Sequence, residues 1–283
     1  GTKILYRPAS DTTSIALGYG VLTSQTATNL YNTAVGYQAL YSTTTGSYNT
    51  AVGDFALYST TTGVYNTAAG YRALNFNTTG RSNTAHGYAA HFYPTTGSYN
   101  TAVGYLAMYS ATPNNLTGSY NTALGTQALY SIQTTASANT AVGYYALYSN
   151  TTGVWNTAIG AASLQNNTTA SDNTAVGFAA LSISTGAYNT GIGRGALYGN
   201  STGTYNTALG YNSMHTGAGG YLTGSYNTGV GSQSLYSIQT TASGNTAVGH
   251  NALYSTTTGS YNTAVGLAAL GSNTTGIWHS ILG

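Results

Sequence analysis

One five-residue phrase recurs so often that it decides what this chain can fold into. Asn-Thr, then Ala or Gly, then a residue that is nearly always aliphatic, then Gly, stands fourteen times. It starts at Asn32, Asn49, Asn66, Asn83, Asn100, Asn121, Asn139, Asn156, Asn173, Asn189, Asn206, Asn227, Asn245 and Asn262. The spacings are 17, 17, 17, 17, 21, 18, 17, 17, 16, 17, 21, 18 and 17 residues. A short, fixed period means one structural unit stacked on itself, so the fold is read per repeat. Function then rests on shape and surface more than on a single catalytic pocket.

The unit Asn32 to Tyr48 reads NTAVGYQALYSTTTGSY. Thr33, Ala34 and Val35 favour a short strand, and Gly36 supplies a bend. Ala39, Leu40 and Tyr41 form a second apolar patch, and Thr44-Thr45-Gly46 is turn chemistry. This is too short for a helix pair. The expected fold is all-β, a β-solenoid or β-roll of about fifteen stacked 17-residue coils. At roughly 4.8 Å per coil, such a stack would reach on the order of 70 Å.

Counting each coil from its Asn, position 4 (Val35, Val52, Val103, Ile159) and position 9 (mostly Leu or Met) read as core-facing. Positions 6 and 7 vary freely and read as water-facing, which makes Tyr37, Phe55, Arg72 and Arg194 candidate surface contacts. A small residue at position 3 would let another backbone approach closely. Tyr at position 10 (Tyr41, Tyr58) and position 17 (Tyr48, Tyr65) predicts aromatic ladders. The Asn column (Asn32, Asn49, Asn66, Asn83, Asn100) predicts an amide ladder.

A longer period overlies the short one. The 21-then-18 spacing pair occurs at Asn121 and again at Asn227, 106 residues on, with SIQTTASANTAVG from Ser131 matched by SIQTTASGNTAVG from Ser237. Six coils read as a duplicated block. The extra residues predict loop insertions near 111–117, including Asn114 as a candidate contact, and near 215–223. Residues 1–13 carry no repeat and read as a connector or cap; residues 14–283 read as one repetitive rod. The unfinished phrase from His279 to Gly283 suggests either a longer chain or end-to-end joining, through it and the segment Gly1 to Thr13.

Composition excludes several classes of function. Charged residues make up 3% of the chain, against about 25% in ordinary globular proteins. With 28 Tyr and 38 Gly, the chain lacks the high charge and poor aromatic content of disorder. A net charge of +2 leaves no electrostatic footprint for nucleic acid. Cys is absent, so no disulfide framework or thiolate metal site is available. No apolar run approaches the ~20 residues of a membrane span. Three Asp and no Glu, none placed near a His in a repeated register, give no acid–base pair to build an enzyme on, and no cofactor is expected. Weak surface charge and Tyr columns that gain from being covered predict self-association, as a parallel homo-oligomer or head-to-tail filament.

Local anomalies carry competing readings. His86 and His91 occupy positions 4 and 9, where neighbouring coils hold Val, Leu or Met. They read as neutral side chains bonded to Tyr hydroxyls or carbonyls, or, in a trimer, as a metal or anion site near the axis. Asn77, Asn115, Asn150, Asn166, Asn167, Asn200 and Asn273 lie in Asn-x-Ser/Thr sequons. Exposed Tyr and Trp could stack on sugar rings, though ladder packing accounts for the same periodicity. The Thr content raises ice binding, set against the strand alternating Thr with Val and the Thr pairs reading as turns.

The residues Ser14-Ile15-Ala16-Leu17-Gly18 resemble the S-[VI]-A-[IL]-G core of YadA-like trimeric autotransporter adhesin heads. NTAVGYxALYSxTTG is similar to repeats of bacterial surface proteins and phage tail fibres. The resemblance covers residues 14–283. It implies a parallel homotrimer outside the cell, on a cell or virion surface, serving as an adhesive or structural stalk. The expected function is an extracellular structural fibre with an adhesin-like role and a glycan or host-surface ligand. The alternatives are a receptor-binding segment of a phage tail fibre and an ice-binding solenoid.

Overall fold

A strand three residues long exposes its first and third side chains on one face and buries its second. In the computed structural model this happens at every phrase. The structure describes residues 11–28, 30–110, 116–216 and 220–283. Residues 1–10, Asn114 and the sequon at Asn115, and part of each insertion (111–115 and 217–219) lie outside the described residues. The chain divides into two compact units, Gly1–Ala141 and Val142–Gly283.

In the first unit, β1 (Ile15–Leu17), β2 (Thr33–Val35), β3 (Thr50–Val52), β4 (Thr67–Ala69), β5 (Thr84–His86), β6 (Thr101–Val103) and β7 (Thr122–Leu124) pair in chain order, all parallel. The strand β8 (Thr140–Val142) falls at the division. In the second unit the same order runs through β9 (Thr157–Ile159), β10 (Thr174–Val176), β11 (Thr190–Ile192), β12 (Thr207–Leu209), β13 (Thr228–Val230), β14 (Thr246–Val248), β15 (Thr263–Val265) and β16 (Ser280–Leu282). Each unit is therefore a β-solenoid, and the protein is all-β, with no helix among the described residues.

Register holds phrase on phrase. Thr101 pairs Thr122 across a 21-residue coil, and Thr174 pairs Thr190 across a 16-residue one. Length changes are absorbed outside the strands. After the two insertions, Leu116 and Leu222 return fully buried, and the Leu116 carbonyl accepts from the Thr95 N–H at 3.2 Å.

Position 5 must be glycine for two reasons. Gly53 has φ +136°, and a Cβ there would sit 2.5 Å from the Gly70 carbonyl of the next coil. Beyond it the backbone turns through left-handed residues that are not glycine: Gln38, Leu40 and Tyr48, at positions 7, 9 and 17, have φ of 51°, 50° and 56°. Each costs about 1–2 kcal/mol in isolation. Hydrogen bonds between coils hold them. Gln38 N–H donates to the Tyr19 carbonyl of the preceding coil (2.9 Å), and Leu40 N–H donates to the Ala56 carbonyl of the following coil (3.0 Å).

The buried Asn column stitches the stack, as the sequence predicts. Asn49 Nδ2 donates to the Gly63 carbonyl of its own coil (2.8 Å). Its Oδ1 accepts the backbone N–H of Asn66 in the next (2.9 Å). Asn32, Asn83 and Asn100 repeat the pattern. At the first coil Ser14 replaces Asn: it accepts from Asn32 N–H at 2.9 Å and donates to the buried Asp11 carboxylate. Burial pushes the Asp11 carboxyl up, but hydrogen bonds from Ser14, Thr13 and Leu30 outweigh it and leave its pKa below the usual value.

The core differs from the sequence expectation at two positions. Position 4 is not core-facing: Val52 is 44% and Leu209 45% exposed. Position 3 is: Ala34, Ala51 and Ala68 have no exposed surface. The reason is space. A Cβ added at Gly191, a position 3 glycine, would meet the Ala196 carbonyl at 3.1 Å and Leu181 Cγ at 3.2 Å. Leu at position 9 fills the interior, so nothing larger than Ala fits opposite it, and the aliphatic residue turns outward. Position 12, just before the turn, is also buried, holding Thr43, Asn77, Ile132, Asn150, Asn167, Asn200 and Ile238. The sequons at Asn77, Asn150, Asn167 and Asn200 are thus inside the coil, their Nδ2 groups donating to the Gly80, Gly153, Ala170 and Gly203 carbonyls.

Candidate functional site

Three kinds of surface result from this coil. The strand face carries Thr at position 2 and the aliphatic residue at position 4, in register from strand to strand. The position 17 edge is an aromatic ladder: Tyr31–Tyr48, Tyr48–Tyr65 and Tyr205–Tyr226 ring centroids are each 5.2 Å apart, with planes within 14°. The third surface is formed by positions 6, 7 and 10.

Position 10 forms the second predicted ladder. Tyr41 and Tyr58 stack at 5.2 Å, Phe92 and Tyr109 at 5.2 Å, and Tyr109 and Tyr130 at 5.4 Å. In the second unit an imidazole takes one rung: His215 lies 5.2 Å from Tyr198 and 5.3 Å from Tyr236. Position 6 forms a third ladder that variability conceals in the sequence, with Tyr71–Tyr88 at 5.3 Å and Tyr88–Tyr105 at 5.4 Å.

The ladders at positions 6 and 10 face each other across position 7. Where position 7 is small, a cleft opens. The first cleft, of about 220 Å³, has Tyr88 and Tyr105 on one wall, Phe92 and Tyr109 on the other, and Ala89 in its floor. Arg72 enters it from the preceding coil, its Cζ 5.2 Å from the Tyr71 ring centroid and 6.0 Å from that of Phe92. The second, of about 210 Å³, has Phe178 and Tyr211 facing Tyr198 and His215 over Ala179 and Gly195. Arg194 lies there between Phe178 (5.7 Å) and Tyr211 (5.9 Å). Both guanidinium groups are exposed, and neither has an ion pair among the described residues.

Beside the first cleft a rung is missing from the position 10 ladder. Asn75 stands between Tyr58 and Phe92 and folds away, donating to the Phe55 carbonyl at 2.8 Å. The slot it leaves is about 290 Å³, lined also by Arg72 and Phe76. Of the sequence-predicted contacts, Phe55 and Arg72 meet here, Arg194 lies in the second cleft, and Tyr37 stands exposed in the position 6 ladder 5.8 Å from Tyr19. The Asp54 carboxylate is held elsewhere, accepting Tyr37 N–H at 2.7 Å.

Burial around the clefts tunes two groups. Desolvation, then the neighbouring Tyr93 and Tyr130, pushes the Tyr109 hydroxyl up, so it stays protonated at neutral pH. Desolvation lowers the pKa of His215.

The two histidines singled out by sequence do not come together within the chain. His86 is exposed on the outer face of β5, because position 4 points outward. His91 is fully buried at position 9, and neither ring nitrogen has a hydrogen-bond partner. The expected bonding of the pair to Tyr hydroxyls or carbonyls is therefore not found for His91. Desolvation lowers its pKa to about 3, so the ring is neutral. No group of three His, Cys, Asp or Glu among the described residues could hold a metal ion.

Fold and surface together define a class: a β-solenoid repeat protein with Tyr-rich stacked ladders. No family model, curated protein or solved structure matches this chain.

Proposed function

We propose that the protein is a structural fibre segment of a cell or virion surface, in which stacked coils form a stiff rod that projects or links. The observation that carries this reading is repetition without a break in register. Asn bonds the Asn of the next coil, the position 5 Gly N–H bonds the position 4 carbonyl of the coil before, and runs of Tyr stack on one another, which suits a load-bearing rod. A surface wetted by hydroxyls and amides, with few charges, supports a place outside the cell.

Assembly of several chains, a trimer in preference, belongs to the same reading. The position 4 column offers an uncharged aliphatic surface on the strand face. Sedimentation equilibrium and negative-stain electron microscopy test the reading: multimeric straight rods are expected. Monomeric particles without rod shape would sink it. Labelling intact cells or virions of the source with antibody tests the location.

Ice binding is the second reading, and one observation favours it. Thr at position 2 lies in register on the outer strand face, not in turns alone, so the hydroxyls form regular columns. A thermal hysteresis measurement decides it, and a null result removes it.

A further inference from the structure

We infer that the two arginine-bearing aromatic clefts are paired binding sites for a carboxylate-bearing saccharide. The inference goes beyond the fibre reading above and does not depend on rod formation.

The clefts recur in equivalent places. The coils starting at Asn66, Asn83 and Asn100 correspond to those starting at Asn173, Asn189 and Asn206 in the duplicated block. Phe92, Tyr105 and Tyr109 become Tyr198, Tyr211 and His215, each 106 residues on. The arginine does not follow. Arg72 comes from position 7 of the first coil of its set, whereas Arg194 comes from position 6 of the second. Both nonetheless bring one guanidinium among the aromatic rings. Duplication alone accounts for the aromatic walls but not for an arginine supplied to each cleft from a different position.

Chemistry then selects the ligand. Aromatic faces pack against the apolar faces of sugar rings, and tyrosine hydroxyls at the rim suit a polyol. Tyr109, still protonated, can donate or accept there. A guanidinium is a planar fork matched to a carboxylate. Among the described residues, no carboxylate pairs with Arg72 or Arg194. One positive group per cleft fits a single acidic function and falls short of what a polyphosphate backbone requires. The position 10 ladder runs on past each cleft in one direction, to Tyr130 after the first and to Tyr236 and Tyr254 after the second, so a neighbouring sugar unit of a chain would meet further rings there.

The test is titration calorimetry of the full chain with α-1,4-trigalacturonate and with its methyl ester, which removes the charge alone. 3′-Sialyllactose is a second acidic probe and lactose its neutral partner. The acidic saccharides are expected to bind at two sites per chain, with each neutral form about tenfold weaker or more. Arg72→Gln and Arg194→Gln should each remove one site, and the double variant both. Equal affinity for acid and ester, or stoichiometry unchanged in the variants, overturns the assignment, as does absence of binding by both acidic probes. Urea midpoints of the variants, expected to fall only slightly, show that folding is not the cause. Rods on the grid with no saccharide bound would refute this inference alone, and saccharide bound without rods would refute the fibre reading alone.

Discussion

The two clefts are built on one scaffold and differ in what lies within and behind them. In the first, the walls are all aromatic, Arg72 reaches in from the side, and the residue beneath the wall, at position 9, is His91. In the second, Asn212 replaces Leu106 at position 7, His215 takes a wall rung, Arg194 replaces an aromatic residue at position 6, and position 9 is Leu197. A solenoid tolerates such divergence because each coil contacts its neighbours alone. The backbone is fixed by Gly, Asn and the register; the outward positions are free to become a site.

The strongest way to break the comparison is through the backbone they share. Gly87 and Gly193 are equivalent, with φ of +133° and +129°, and a Cβ at either would lie within 2.6 Å of the carbonyl of the next position 5 glycine. Gly87→Val and Gly193→Val are each expected to destabilise by about 3 kcal/mol or more, read as equal falls in urea midpoint. Unequal falls would show that the scaffolds are not equivalent.

Next in size is the exchange at position 9. His91 has a folded pKa of about 3, below the ~6.5 of an unfolded chain. The folded state therefore excludes the proton. Its contribution is complete above pH 6.5 and is lost as pH falls toward 3, about 3 kcal/mol by pH 4.5. His91→Leu should flatten this acid limb and, by removing two unpartnered buried nitrogens, stabilise by about 1–3 kcal/mol at pH 7. Leu197→His should create a matching acid limb in the second unit. Denaturation midpoints between pH 4 and 8 provide the readout.

A smaller change sharpens the contrast between the walls. Asn75→Tyr restores the missing rung and gains about 0.5–1.5 kcal/mol of ring stacking, while losing the bond to the Phe55 carbonyl, worth a similar amount. Stability should stay within about 1 kcal/mol, and near-UV circular dichroism should report the added stacked ring. The smallest effect belongs to the arginines. Arg72→Gln and Arg194→Gln remove exposed cation–π contacts worth about 0.5–1 kcal/mol at most. A larger loss on thermal melting would mean that the guanidinium groups hold the fold and not a ligand.

Much of this could be read from the chain. Register, the Asn column and the Tyr columns at positions 10 and 17 follow from the same residue returning at the same interval. The parity of the strand did not follow. Thr-Ala-Val alternates whichever face is buried, and hydrophobicity alone places Val inside. The partner of Asn49, the Gly63 carbonyl, was equally illegible, because a backbone group carries no sequence signal. His91 stood out as an anomaly in its column, yet its pairing with His86 failed once position 4 turned outward. The position 6 ladder leaves no sequence signal because its rungs change identity, from Tyr71 to Phe178 to Arg194, while keeping their place.

The sequence by itself determined that the chain is a stack, in what register, and that the Asn column and the Tyr columns at positions 10 and 17 would be ladders. Periodicity does this, since identical coils in parallel must place each residue on its own copy. Tertiary structure alone decided which side of each strand faces inward and where the clefts open. Both depend on volume: Leu at position 9 leaves room for no more than Ala opposite it. Left-handed residues at positions 7 and 9 then carry the chain round so that rings at positions 6 and 10, from coils 16 or 17 residues apart, meet around one guanidinium.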